Sequence, residues 1–164
     1  MSINNNTLMF KWISIIVGII VILLLFFLIY KQVENFNEST DSQLNSLQEI
    51  FTKFFSQPKK WTGELSMLNY RKPYLETRLY KGEKSYTINK QKIYLCLKDQ
   101  NNEYYPFNML IYVLAHEYAH VLATSIGHTQ EFHNIFDQLL EELIEFGIYD
   151  PNQPIINDYC QYND

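Results

Sequence analysis

The sequence predicts an α+β chain in which an N-terminal transmembrane helix precedes one small domain. Three observations predict it: a long uncharged run near the N-terminus, two β-forming runs flanking a turn at residues 89–91, and apolar residues at helical spacing from Met109 to Leu143. The chain divides into a tail at 1–11, a span at 12–30, a membrane-proximal helical segment at 31–60 and a domain at 61–164.

The span is WISIIVGIIVILLLFFLIY, Trp12 to Tyr30, and it carries no charge. As a helix rising ~1.5 Å per residue it covers about 28 Å, close to the hydrocarbon thickness of a bilayer. Trp12 and Tyr30 stand where aromatic rings favour the interface, and Lys11 and Lys31 can snorkel to headgroups. A cleaved signal peptide has a shorter apolar region and a small-residue cleavage site, whereas Lys31, Gln32, Val33 and Glu34 follow here. The expectation is a retained single-pass anchor in membrane lipid. Positive charge is nearly balanced across it, with a slight lean towards a cytosolic N-terminus and a domain outside. Asn5-Asn6-Thr7 and Asn37-Glu38-Ser39 match glycosylation acceptors, a cheap match in an Asn-rich chain.

After the span, Leu44, Leu47, Ile50, Phe51 and Phe54 recur at helical spacing behind a Ser/Thr/Asp start signal, and Pro58 stops the helix. Its wide apolar face suits a domain helix better than a stalk. Tyr86 to Ile88 and Lys92 to Leu97 read as a hairpin around Asn89-Lys90-Gln91. The second strand admits two readings: an exposed edge that takes an extended peptide by strand addition, or a buried core strand. A helix then begins near Pro106 and ends near Ser125, with Gly127 as a left-handed stop. Another runs from Thr129 to Phe146, burying Phe132, Ile135, Phe136, Leu139, Leu140 and Leu143, and Gly147 ends it.

All four histidines lie within eighteen residues: His116, His120, His128 and His133, in HEYAHVLATSIGHTQEFH. The first two bracket Glu117 as H-E-x-x-H, a zinc-binding and water-activating arrangement when helical. Residues four apart share a helix face, so two imidazoles can close on one ion. Glu117 is offset by about 100° around the helix and suits a general base better than a ligand. A catalytic zinc takes three protein ligands and leaves the fourth position to water. His128 is the favoured third ligand, with Glu131 and then His133 as alternatives. The form H-E-x-x-H-x-x-G-x-x-H is excluded, because Ser125 and Ile126 occupy the positions near its third histidine.

HEYAHVLATSIGHTQEF resembles the WLM-type and SprT-like zinc metallopeptidases, in which H-E-x-x-H precedes a third His and then an aromatic residue. The flanks SYTINKQKIYLCLKDQNNEYYPFNMLIYVLAHEYAH and FHNIFDQLLEELIEFGIYDPNQPIINDYC are similar to WLM-like proteins of large nucleocytoplasmic DNA viruses, over about residues 84–160. His133 departs from the pattern, which often has Trp after the Phe. The resemblance implies a zincin-like domain with a short β-sheet packed on the HExxH helix, Zn²⁺ as cofactor, a polypeptide substrate, and a virion or host internal membrane as location.

Eighteen acidic residues against eleven basic ones follow Lys31, so the domain is acidic and no basic stripe invites nucleic acid. That argues against the DNA-bound substrates on which some WLM-type and SprT-like proteins work. Cys96 and Cys160 can pair in an oxidising compartment, although Cys96 in an apolar strand also suits a buried thiol, and a Cys-liganded zinc is a minor option. Tyr118 lies off the ligand face and should pack. Tyr149 and Tyr159 could each reach a cleft as oxyanion donors, and nothing in the sequence selects either. The functional expectation is a membrane-anchored zinc metallopeptidase: His116, His120 and His128 bind the metal, and Glu117 takes a proton from the water that the metal holds. The alternatives are a non-catalytic membrane protein with a structural zinc and a hydrolase of non-peptide amides. Substrate preference and oligomeric state lie beyond the sequence.

Overall fold

The computed structural model describes residues 5–39 and 41–160, with side chains for 9–33 and 41–160. Contacts divide the chain into two units, Met1–Ser39 and Thr40–Asp164. The first is a single helix, α1 (Asn5–Ser39), in which Met9–Val33 has a mean hydropathy of 3.3 and no burial. It is long and apolar enough to cross a membrane, a test that an N-terminal signal sequence also passes. Both glycosylation matches fall on side chains outside the described ones.

The second unit is a mixed α+β fold. In chain order it has α2 (Ser42–Phe55), a 3₁₀ segment (Gly63–Asn69), α3 (Pro73–Glu76), β1 (Arg78–Lys81), β2 (Tyr86–Ile88), β3 (Lys92–Leu95), α4 (Phe107–Leu122) and α5 (Gln130–Glu145). Asp41 starts α2 by accepting from the backbone N–H groups of Gln43 and Leu44. Leu44, Leu47, Phe51, Phe54 and Phe55 of α2 are buried in the same core as α4 and α5. α2 thus lies in the compact unit that begins at residue 40, as its wide apolar face suggests.

The sheet has the order β1-β3-β2, with β3 parallel to β1 and antiparallel to β2. Asn89 and Lys90 have φ of 50° and 56°, the mirror-image turn that suits strand twist. The predicted hairpin is present, but its second strand is central and has no free edge. β1 covers that strand's other edge, pairing Arg78–Lys81 with Lys92–Leu95. Among the described residues the outer strands are β1 and β2, and β2 is the one beside α4. β3 also stops at Leu95 and not Leu97, because the Cys96 N–H turns to Ser85 Oγ at 3.0 Å.

α4 packs across β2 and β3 on one side and against α5 on the other. Behind it, the fully buried Tyr118 stacks on Phe51 at 5.1 Å and meets Phe55 edge-on at 4.8 Å, the packing role expected from its helix face. α5 ends in a left-handed cap at Gly147 (φ 66°): the N–H of Gly147 donates to Ile144 and that of Ile148 to Leu143. Five of the six residues assigned to its buried face are buried, and Leu140 is half-buried. Cys96 and Cys160 form a disulfide with Cα atoms 6.2 Å apart. Cys96 is therefore neither a free thiol nor a metal ligand.

Candidate metal centre

α4 ends at Leu122, one turn before the predicted stop, and the reason is local. Glu131 at the start of α5 accepts from Thr124 N at 2.8 Å, Thr124 Oγ1 at 2.8 Å and Ser125 N at 3.0 Å, drawing these residues out of the helix. The carbonyls left at the helix end receive cations in place of a glycine cap. Arg71 donates to Val121 O at 3.2 Å, and Lys90 Nζ, from the hairpin turn, donates to Ala123 O and Ser125 O. Gly127, with φ 83°, then reverses the chain in a conformation that a side chain would strain.

This turn returns His128 to α4. His116 and His120 lie one helical turn apart, and His128 Nε2 lies 3.0 Å from His116 Nε2. One ligand atom from each of the three imidazoles falls within 4.8 Å of the others. Phe132 is the floor beneath them, its ring 4.9, 4.4 and 4.8 Å from those of His116, His120 and His128. His133 stands off, 6.4 Å from His128, and Glu131 spends its carboxylate on the turn. Those hydrogen bonds hold Glu131 ionised, with its pKa lowered to about 2.

The donor set suits zinc. Zn–N bonds of ~2.0–2.1 Å in tetrahedral geometry place nitrogens roughly 3.3 Å apart, near the observed His116–His128 spacing. Metal binding also requires neutral imidazoles. Burial, followed by the neighbouring histidines, lowers His116 to about 4. Burial, then His128 and Lys90, lowers His120 as well.

Glu117 follows His116 and is only 4% exposed, yet it lines the same cleft. Thr87 on β2 donates to its Oε2 at 2.7 Å. Burial raises the Glu117 pKa to about 7 and the Thr87 hydrogen bond opposes that rise, so the carboxyl sits in the range useful to a base near neutrality. The cleft is a cavity of about 510 Å³ that holds the three histidines and is bordered by Ser85, Tyr86, Thr87 and Lys90. Neither tyrosine singled out in the sequence presents a free hydroxyl here. Tyr159 spends its oxygen on Cys96 O at 2.5 Å and Ser85 Oγ at 2.9 Å, and Tyr149 packs on Tyr112 away from the histidines.

Thr87 and Lys90 escape a reading of the sequence, because both act through contacts thirty or more residues away. If Glu117 is a general base, Thr87→Val is expected to lower turnover about tenfold or more, the effect of one hydrogen bond to a charged group, with KM little changed. Thr87→Ser should restore it. Wild-type turnover in Thr87→Val would remove the residue from the site.

The H-E-x-x-H helix, the returning third histidine and the small sheet define a protein with a candidate metal centre. A WLM domain is matched over residues 86–152. The chain is 43% identical over 136 residues to an uncharacterized protein, 136R, of Invertebrate iridescent virus 6, covering 77% of this chain and 76% of that one. It is 40% identical over 99 residues to an uncharacterized protein of Invertebrate iridescent virus 3, covering 60% and 62%, and 37% identical over 67 residues to one of Acanthamoeba polyphaga mimivirus, covering 40% and 34%. No solved structure matches. The chain belongs to the WLM family, and it is a WLM-type viral protein.

Proposed function

We propose that this chain is a zinc-dependent peptidase with a zincin-like domain, in which His116, His120 and His128 hold the metal and Glu117 is the general base. The observation that carries the proposal is the convergence of three imidazole nitrogens within 4.8 Å beside a buried carboxylate that faces the same cleft. A bound Zn²⁺ would supply positive charge that acidifies water and polarises a carbonyl oxygen. Glu117 Oε accepts a proton from the attacking water and delivers it to the leaving amine nitrogen, while Thr87 holds the carboxylate in place. The outer edge of β2 lies along the cleft and supports binding of an extended peptide by main-chain hydrogen bonds, which suits a polypeptide substrate over other amides.

The structural-zinc alternative loses its best fourth ligand, because Cys160 is bonded to Cys96. We further read α1 as a single-pass anchor for a virion or host internal membrane, with the domain on an oxidising side; the uncharged run 12–30 within α1 and the disulfide support this. The acidic balance of the domain supports a role away from nucleic acid. The test is metal content and cleavage of a denatured protein mixture by the full chain in detergent. Stoichiometric zinc, lost in His116→Ala, together with cleavage supports the reading; a metal-free wild-type protein after zinc loading would end it.

A further inference from the structure

Beyond the histidines the cleft continues into a second lobe, which meets the first at Ser85, His116 and Glu117. This lobe has a volume of about 480 Å³. Its floor is Met109 and Val113, on the turns of α4 preceding His116, and its outer wall is the C-terminal segment carrying Ile155 and Ile156. Among the described residues, the one charged side chain lining it apart from Glu117 at the junction is Lys84. The wall is fixed twice: Cys160 is joined to Cys96 at the end of β3, and Tyr159 is hydrogen bonded to Cys96 O and Ser85.

We propose that this lobe is a specificity pocket that takes one bulky apolar side chain, aromatic or long aliphatic, of the residue flanking the scissile bond. The inference rests on the peptidase reading and names its substrate class: extended polypeptide with such a residue beside the metal. Continuity fixes the occupant. A chain laid along β2 and across Glu117 has this lobe directly beside its reacting carbonyl, and successive side chains of an extended peptide point to opposite faces, so one of them enters. The volume lies in the range of ligand pockets and exceeds what a small side chain fills. Met109 and Val113, 5% and 8% exposed, together with Ile155 and Ile156 offer dispersion contacts, while the polar groups of Tyr112 and Asn157 also line the lobe. Burying a Leu- or Phe-sized side chain there favours it over Gly or Asp by roughly ten- to a hundredfold.

The experiment is cleavage of a denatured protein mixture by the zinc-loaded full chain in detergent, with cut sites read by mass spectrometry. One position beside the bond should be enriched in Phe, Tyr, Leu, Ile and Met. Val113→Phe, which fills the floor, should shift that position towards small residues. Ile155→Trp, on the exposed rim where folding is not at stake, should narrow it as well. Cleavage with no preference at either flanking position, or a preference untouched by both substitutions, overturns the pocket and leaves the peptidase standing. No cleavage by the zinc-loaded parent overturns the peptidase reading, and the pocket falls with it.

Discussion

Glu117→Gln is expected to lower peptide hydrolysis by about 10²–10⁴-fold while leaving metal content unchanged, the usual contribution of a positioned general base. Gln keeps the volume of Glu and an oxygen to accept from Thr87, so the change isolates the loss of basicity. The carboxylate is not among the three clustered ligand atoms, and its removal should spare the metal. Paired zinc analysis and turnover check this. Wild-type activity in the variant would remove Glu117 from the chemistry, and a parallel loss of zinc would make it a ligand.

Cys160→Ser is expected to destabilise the second unit by about 4 kcal/mol, the chain-entropy value for a loop closed by cysteines 64 residues apart. That is a large share of the ~5–15 kcal/mol available to an ordinary domain. Both cysteines are buried, Cys96 at 1% exposure and Cys160 at 8%, so the serine variant would also leave a polar hydroxyl in an apolar setting. Denaturant unfolding of the variant, and of the parent with and without reductant, measures the effect. A change below about 1 kcal/mol in both would show that the bridge contributes little to the folded state.

The site was legible in the sequence to the extent that it is local. The spacing of His116 and His120 follows from one helical turn, and Gly127 before His128 marks a reversal within reach of that turn. The buried face of α5 was readable from its period. The remainder depends on contacts between distant segments. β1 has only four residues and no alternation, with the burial pattern exposed, buried, buried, exposed, and without it the central place of β3 cannot be seen. Thr87 gains its role from the packing of β2 on α4, which no spacing encodes. The early end of α4 reflects a competition between Glu131 and the helix for the same backbone donors, and sequence patterns do not rank such competitors.

The hold of Glu131 on Thr124 and Ser125, with Lys90 on the carbonyls beside them, bears on how the metal is acquired. Ordering a loop residue costs roughly 1–2 kcal/mol of backbone entropy. Here hydrogen bonds to Glu131 and from Lys90 order the segment leading to His128, so part of that cost belongs to folding. A metal ion captured by the three histidines would then lose less of its affinity to ordering the loop that brings His128.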